Sequence, residues 1–385
     1  MNRLGGSHTG VHVGARPLLA ANENLTSETY IDAVEKLSRL DDQGDGMRSF
    51  VGVILNAFAG EHQILLIDEP DAFLHPPQAR LLGKMLGKDK PPEQQLFLAT
   101  HSGDFLRGII DADSEHVCVV RVRREGRLNI IRKLSREDIG RLWSDPLLRY
   151  SNVLDGLFHE LVVVCEADSD CRFYCAVKDA VWKGRPEEAI PDAMFTHCGG
   201  KERIGALVRA LRALGVPVRA VTDFDVLQEA GSLRRIVEAF EGNWSDVEND
   251  FKAVRNAIEQ KKPELASSDV RREVNEILSG VGEVTFPRAA SEKIKEVLRQ
   301  SSPWSIAKTA GKAYVPSGTP MQAFERLTQS LRALGLYVVE VGELECFDRS
   351  IGGHGPDWVN AAIQKDLAAA EEFEGARRFV VGLVK

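Results

Sequence analysis

The segment Val162-Val163-Val164-Cys165-Glu166 is an apolar run that ends abruptly in a carboxylate. The earlier segment Leu65-Leu66-Ile67-Asp68-Glu69-Pro70 has the same pattern, and Ala220-Val221-Thr222-Asp223-Phe224-Asp225 repeats it. Such runs are typical of buried strands in a parallel sheet, whose carboxyl ends present polar side chains at one edge. Because helical segments alternate with these runs, the sequence predicts an α/β fold with parallel sheets.

The bulk composition indicates a folded protein of roughly two to three domains. The chain has 385 residues, of which 43% are hydrophobic, and its six cysteines lack the spacing of a zinc site. The formal charge of −8 does not exclude DNA, because carboxylates around metal sites can produce it while basic faces exist elsewhere. No window reaches the ~18 apolar residues of a membrane span and no secretory signal opens the chain, so we expect a cytoplasmic protein without a membrane partner.

The order of predicted elements divides the chain into three parts. Strands are predicted at 63–67, 95–99, 161–165, 218–222 and 337–341, with a hairpin from 116 to 134. The β/α alternation restarts at Glu160. The predicted parts are a first domain at 1–134, a helical connector at 135–159, and a second domain at 160–385 with a helical insertion at about 227–303.

Helical periodicity predicts a helix over 29–40 and a buried helix over 47–59. In the insertion, Ser245 opens a predicted capping box. The apolar face that follows it is formed by Val247, Phe251, Val254 and Ile258.

The first acidic strand resembles a Walker B motif, an apolar strand that runs into Asp-Glu. In that motif the aspartate, here Asp68, orients magnesium on the nucleotide, and the glutamate, here Glu69, polarises the attacking water. One strand later, His101 stands at a strand end. In P-loop ATPases of the ABC and chromosome-segregation type, a histidine there is the switch residue.

Two further segments support the same resemblance. Residues 42–49 place Gly44 and Gly46 at a predicted helix start, where backbone N–H groups can approach a phosphate, and resemble the ABC signature loop. Residues 68–76 resemble the dimer-contact loop of the RecF and SMC-like branch. Both elements face a second subunit in that family, so the resemblance implies a homodimer.

The phosphate-binding half of such a domain is missing from this sequence. No Gly-x-x-x-x-Gly-Lys-Ser/Thr motif occurs, and only about 40 residues precede the signature loop. The resemblance therefore covers the carboxyl-terminal part of an ABC/RecF-like P-loop ATPase domain, either the end of a longer protein or a degenerate relative. Whether ATP is a cofactor stays open, and a partner that supplies the nucleotide-binding lobe is one expectation.

Residues 162–170 resemble the first motif of the TOPRIM fold, which topoisomerases, bacterial primases and certain nucleases share; Ala167 stands where glycine is usual. The second TOPRIM motif is Asp-x-Asp, supplied by Asp223 and Asp225. Alternate residues of a strand point the same way, so both are expected to face one cation. Carboxylate oxygens at this spacing suit Mg²⁺ or Mn²⁺.

A third acidic strand end is predicted near residue 341, with Glu343 and Glu345 on one side. Three acidic strand ends exceed what one cation needs, and two cations could share them and clamp the attacking and leaving oxygens of a phosphodiester. The sequence thus favours a two-metal site.

A TOPRIM domain after an ABC-type ATPase is the arrangement of the OLD ("overcoming lysogenisation defect") family of ATP-dependent nucleases, and the resemblance spans roughly residues 40 to 375. It implies a metal-dependent DNA endonuclease or nickase with a Rossmann-like TOPRIM domain. The metal ligands it implies are Glu166, Asp170, Asp223, Asp225, Glu343 and Glu345. It also implies a lysine that steadies the transition-state charge, for which Lys308 and Lys312 are the candidates.

Other residues and functions were weighed against this prediction. The turn Gly199-Gly200-Lys201 is interpreted as a plain strand-to-helix loop, and the scattered arginines define no DNA-binding surface. A topoisomerase needs a nucleophilic tyrosine, and none of the five tyrosines lies in a recognisable cleavage motif. The alternative function is a non-catalytic, ATPase-derived assembly subunit that binds a partner.

Overall fold

A computed structural model divides the chain into two compact units. The first comprises Met1–Val120 with Lys133–Ser144, and the second comprises Arg121–Arg132 with Asp145–Lys385. The structure describes residues 10–19, 23–60, 62–112, 116–134, 139–140, 144, 152–185, 187–261, 267–282, 285–300 and 302–385. Most of the predicted connector at 135–159 lies outside these residues, as do short stretches of the predicted insertion.

The first unit alternates short strands with helices, as its sequence pattern predicts. Its described elements are β1 (His12–Val13), α1 (Glu28–Glu35), β2 (Ser38–Arg39), a 3-10 turn (Leu40–Asp42), α2 (Asp45–Phe58), β3 (Ile64–Asp68), α3 (Pro76–Asp89), β4 (Gln95–Ala99) and α4 (Gly103–Ala112). β3 and β4 are parallel, whereas β1 and β2 are antiparallel. The two strands predicted in this unit are confirmed to within one residue at each end.

The β3–β4 pair is packed on one face and open on the other. Leu65 and Leu96 are partners in register, and both pack against a core that includes the fully buried Phe105. On the opposite face Leu66 is 75% exposed and Phe97 is 55% exposed. The prediction of a buried strand is therefore wrong for β3, because in the described residues this sheet has two strands and helices pack on one side of it.

Two helices of the first unit also differ from their predictions. α1 ends at Glu35, so the helix predicted over 29–40 is too long, and Ser38–Arg39 pairs with β1 instead. α2 is not a buried helix, because Ala57 is its one buried residue and Met47 is 44% exposed. Several of its apolar side chains pack against the core of this unit but are only partly buried, namely those of Phe50, Val53, Ile54 and Phe58.

The predicted hairpin is confirmed as β5 (Val120–Glu125) paired with β6 (Leu128–Lys133), and most of it groups with the second unit. The guanidinium group of Arg121 donates hydrogen bonds to three backbone carbonyl oxygens, those of Leu157 (2.8 Å), His159 (2.9 Å) and Gly215 (2.7 Å). These bonds tie the hairpin to the second unit, although the domain boundary predicted at residue 134 placed it with the first.

The second unit contains a four-stranded sheet surrounded by helices. Its strands are β7 (Leu161–Cys165), β8 (Ala193–His197), β9 (Val218–Thr222) and β10 (Leu336–Val338). Its helices are α5 (Asp168–Lys183), α6 (Ile204–Ala213), α7 (Ala230–Ala239), α8 (Trp244–Glu259), α9 (Ser267–Ser279), α10 (Arg288–Gln300), α11 (Pro303–Ala310), α12 (Thr319–Leu334), α13 (Pro356–Ile363) and α14 (Glu374–Val384). Its 3-10 turns are Asn152–Phe158, Lys201–Arg203, Phe224–Gln228, Gly311–Tyr314, Leu344–Phe347 and Glu371–Phe373.

The sheet is parallel, with strand order β10-β9-β7-β8. The central strand β7 is buried on both faces, since Val162, Val163 and Val164 are at most 1% exposed. Val163 joins a core with Phe173 of α5 and Trp358 of α13, while α6 packs against β7 and β9. Because all four strands run the same way, their carboxyl ends meet at one edge. β8 was not among the predicted strands.

Helices replace strands in the described residues between 227 and 303, as predicted. The N-cap of α8 is Asn243, two residues before the expected cap, and its side chain accepts a hydrogen bond from the backbone N–H of Ser245 (3.3 Å). The predicted apolar face of α8 is buried and α8 packs against α12. No helix in the described part of the chain has the length and apolar character needed to span a bilayer.

Candidate functional site

The acidic side chains of the second unit follow the carboxyl ends of its strands. Glu166 comes directly after β7, and Asp223 directly after β9. Asp225 lies in the 3-10 turn Phe224–Gln228, so the prediction that it alternates with Asp223 along one strand is wrong. β10 likewise ends before Glu343, and Glu345 lies in a 3-10 turn. Turns and loops, rather than strand alternation, therefore orient these carboxylates.

Backbone hydrogen bonds hold the three acidic segments together. The N–H of Asp223 donates to Oε1 of Glu166 (3.0 Å), which links the segments after β7 and β9. The N–H of Phe224 donates to the carbonyl oxygen of Gly342 (2.8 Å), which links the segments after β9 and β10. The loop carrying Glu343 is thus fixed beside the other two.

A close approach of two backbone segments places Lys308 beside this loop. A Cβ atom on Gly311 would lie 2.2 Å from the carbonyl oxygen of Glu340, and one on Gly342 would lie 2.3 Å from that of Lys308. Gly342 also has φ of +125°, a backbone conformation that residues with a side chain rarely adopt. As a result, Nζ of Lys308 lies 3.2 Å from Oε2 of Glu343.

Glu166 is held in a largely buried environment at the centre of the cluster. Burial raises the pKa of its carboxyl group to about 7; the hydrogen bond from Asp223 opposes this shift, and the charges of Asp225 and Asp170 reinforce it. Crowding of like charges disfavours the ionised form of each carboxyl group. A cation bound beside Glu166 would therefore relieve this repulsion.

Asp170 lies in the first turn of α5, and its Oδ2 accepts a hydrogen bond from the N–H of Ala167 (2.9 Å). Burial raises the pKa of Asp170 to about 6. The hydrogen bond from Ala167 opposes this shift, and the charge of Glu345 reinforces it. Ala167 has φ of −131°, an extended conformation open to any residue. The alanine at this position therefore leaves the acidic turn unstrained.

The Asp-x-Asp pair adds two carboxylates beside Glu166 and Asp170. Burial and the charges of Glu166 and Asp170 raise the pKa of Asp223 well above its ordinary value. Asp225 faces a lysine that the sequence analysis had assigned to a plain loop, since Nζ of Lys201 lies 3.2 Å from its Oδ1. The structure thus adds one cationic side chain to the predicted site.

Glu343 and Glu345 form a second group of possible ligands together with His354. One ligand atom from each of the three residues lies within 4.8 Å of the others. Oε1 of Glu345 accepts a hydrogen bond from the N–H of Gly355 (2.7 Å), and Nδ1 of His354 lies 3.7 Å from the same oxygen. His354 was not predicted, because its loop contains no motif that we interpreted.

The two candidate lysines have different surroundings. Burial lowers the pKa of Lys308, but the charges of Glu343, Asp225 and Asp223 outweigh burial, so the pKa is raised. Nζ of Lys312 instead lies 3.1 Å from Glu325, and no ion pair joins it to the acidic cluster among the described residues. Lys308 is therefore the candidate that faces the carboxylates.

The residues of this cluster fit a hard divalent cation. Its donors are carboxylate oxygens, which Mg²⁺ and Mn²⁺ prefer. Oδ1 of Asp225 is buried and receives no well-aligned hydrogen bond, although Lys201 lies nearby. A buried anionic oxygen without a well-aligned donor is costly, and a cation would lower this cost together with the repulsion between neighbouring carboxylates.

The first unit brings together two of its predicted residues. Nδ1 of His101 lies 2.7 Å from Oε2 of Glu69. Hydrogen bonding to Glu69 and the charge of Glu69 raise the pKa of His101. Glu69 has φ of +48°, which is uncommon for a residue other than glycine and marks local strain. A 2.7 Å hydrogen bond from Thr100 to Asp71 joins the same two segments.

The other predicted residues of this unit, Asp68, Gly44 and Gly46, lie in or near residues 68–76. Asp68 is the last residue of β3 and is exposed, while Gly44 is the N-cap of α2. A Cβ atom on Gly46 would lie 2.7 Å from the carbonyl oxygen of Phe73. The start of α2 therefore packs directly on the segment that resembles a dimer-contact loop.

Comparison with known families bears on the first unit. Residues 16–107 match a family model described as "AAA domain, putative AbiEii toxin, Type IV TA system". The first unit contains an AAA-type, ATPase-like domain. The predicted ATPase-like character is thereby confirmed at this level, over roughly a quarter of the chain. No curated protein matches the chain in a sequence search.

Proposed function

We propose that the second unit is a TOPRIM-type, metal-dependent DNA endonuclease or nickase and that the whole chain is related to the OLD nucleases. The observation that carries this proposal is the convergence of carboxylates from three neighbouring strand ends on one site with Lys308. Carboxyl pKa values that are raised by burial and by neighbouring carboxylates, and a buried oxygen without a well-aligned donor, are typical of a site that binds a cation.

The proposed roles follow from these surroundings. The residues that would hold Mg²⁺ or Mn²⁺ are Glu166, Asp170, Asp223, Asp225, Glu343 and Glu345. Bound cations would supply charge neutralisation and activation of water for phosphodiester hydrolysis. The ammonium group of Lys308 would reduce the negative charge that develops on the phosphate. Burial of Glu166 and Asp223 keeps bulk water from solvating the ligand oxygens.

The proposed partner of this site is DNA, held mainly through its phosphates and therefore with little sequence readout. For the first unit we propose a role in homodimer formation or regulation. ATP would bind there only if another polypeptide segment contributed the missing phosphate-binding loop to Asp68, Glu69 and His101.

A specific observation also favours the alternative function of a partner-binding assembly subunit. The open face of the β3–β4 sheet exposes Ile64, Leu66 and Phe97, and exposed apolar groups on a sheet are typical of protein interfaces. An assembly function accounts for the exposed sheet face of the first unit but does not account for the acidic cluster of the second unit. We therefore prefer the nuclease.

A nicking assay tests the proposal. Purified protein is incubated with supercoiled plasmid in Mg²⁺, in Mn²⁺, or in either metal with EDTA. The proposal predicts open-circular or linear product in metal and none in EDTA. Intact plasmid under all conditions, from protein shown to be folded, would favour the assembly subunit.

A further inference from the structure

Lys201 lies at the acidic cluster on a backbone that is fixed by hydrogen bonds. It begins the 3-10 turn that leads from β8 into α6. Just before it, the N–H of Gly200 donates to the carbonyl oxygen of Glu166 (2.9 Å), and the N–H of Cys198 donates to that of Cys165 (3.3 Å). The loop is thus attached to the end of β7, and the position of Lys201 beside the cluster follows from main-chain bonds.

The contact between Lys201 and Asp225 differs from a structural ion pair in the same unit. Nζ of Lys365 lies 2.6 Å from Oδ2 of Asp348, which is buried, and also donates to the hydroxyl of Ser350 (3.0 Å). Lys201 is 3.2 Å from Asp225, and the buried Oδ1 gains no well-aligned hydrogen bond from it. Lys365 donates two hydrogen bonds to its partners, whereas the contact of Lys201 with Asp225 is longer.

The excess of acidic groups in the cluster explains the longer contact between Lys201 and Asp225. The ammonium groups of Lys201 and Lys308 each face one carboxylate in a cluster with six acidic residues, so acidic groups outnumber basic ones. A cation bound by Asp225 would compete with Lys201 for the same oxygen. Lysine carries a compact charge with three donors on a flexible stem, and its side chain here is 20% exposed, so it can turn toward a ligand at the surface of the site.

We propose that Lys201 is a phosphate-binding residue whose ammonium group holds Asp225 in the metal-free protein and contacts a DNA phosphate oxygen once Asp225 binds a cation. This inference rests on the proposed nuclease function. It assigns to the loop after β8 a second phosphate-facing lysine in addition to Lys308.

The first test measures DNA binding without cleavage. Affinity for a short labelled duplex is determined in Ca²⁺ at several salt concentrations, for the wild type, Lys201→Met and Lys201→Arg. Loss of one phosphate contact should reduce the slope of log affinity against log salt by about 1 in Lys201→Met, and Lys201→Arg should restore it. The matched control is Lys252→Met, whose lysine pairs with Glu248 on the exposed face of α8. Equal slopes in the wild type and Lys201→Met would overturn the inference.

The second test measures cation binding and cleavage. Lys201→Met should bind Mn²⁺ at least as tightly as the wild type by calorimetry, because a competitor for Asp225 has been removed. At saturating Mn²⁺ and sub-saturating DNA, its nicking rate should fall by the same factor as its DNA affinity, because a phosphate contact that forms on binding has been lost. Weaker Mn²⁺ binding, or an unchanged nicking rate, would contradict the inference. A wild type that nicks no plasmid would instead contradict the proposed nuclease function, while the salt slopes and Mn²⁺ affinities would still decide the role of Lys201.

Discussion

The backbone N–H of Asp223 donates a 3.0 Å hydrogen bond to Oε1 of Glu166. This bond fixes the carboxylate of Glu166, which follows β7, on the main chain of Asp223, which follows β9. Burial raises the pKa of both carboxyl groups, and the charge of Glu166 adds to the shift of Asp223. The metal-free site is therefore electrostatically destabilising, and a bound cation would relieve it.

Glu166→Gln should stabilise the metal-free protein at alkaline pH. The fold raises the pKa of Glu166 from 4.5 to about 7, so the folded state binds the proton more tightly than the unfolded chain does. This stabilisation is fully present below pH 4.5 and is lost as the pH rises through about 7. The variant should melt a few degrees above the wild type near pH 8 in EDTA, and the difference should shrink near pH 5. A variant that melts below the wild type at both pH values would refute this explanation.

Gly342→Ala should destabilise the second unit. The new Cβ atom would lie 2.3 Å from the carbonyl oxygen of Lys308, at a backbone conformation with φ of +125°. We expect a loss of about 2 kcal/mol or more in the free energy of unfolding, measured by urea denaturation. The control is Gly382→Ala in α14, where a Cβ atom meets nothing within 4 Å. Equal stability of both variants would show that the loop before Glu343 is not tightly packed.

The isolated chain should hydrolyse ATP negligibly. Glu69 and His101 are in contact, but the sequence contains no P-loop to hold the β- and γ-phosphates. Phosphate release should stay at background for the wild type and for Glu69→Gln. Robust turnover by the wild type that disappears in Glu69→Gln would reveal a phosphate site that this account lacks.

We expect a homodimer whose nuclease activity does not require ATP. The packing of Gly46 on Phe73 brings the two segments that resemble dimer-facing elements into contact within the first unit. The acidic residues of the second unit come from one chain and need no nucleotide. Light scattering should give twice the chain mass, and nicking without ATP should fall steeply with added salt. A monomer, or cleavage only with ATP, would count against this expectation.

The sequence allowed much of the sheet to be predicted, because buried strands such as β7 consist of continuous apolar residues. It also led us to Glu166 and Asp223, which follow strands directly. It could not predict how Asp225 is oriented, since that depends on a 3-10 turn rather than on strand alternation. Lys201 was missed as a site residue because main-chain hydrogen bonds from Cys198 to Cys165 and from Gly200 to Glu166 bring its loop to the cluster, and no sequence motif marks these bonds.

The most direct test of the central claim compares Asp223→Asn with Asp269→Asn. Asp223 lies within the acidic cluster, whereas Asp269 lies in the first turn of α9 and faces Arg272. Mn²⁺ binding by calorimetry and plasmid nicking are measured on both folded variants. The account predicts that Asp223→Asn loses Mn²⁺ binding and nicks at least about 100-fold more slowly than the wild type, while Asp269→Asn matches the wild type. Nicking at the wild-type rate by Asp223→Asn would contradict the assignment of this cluster as the nuclease centre.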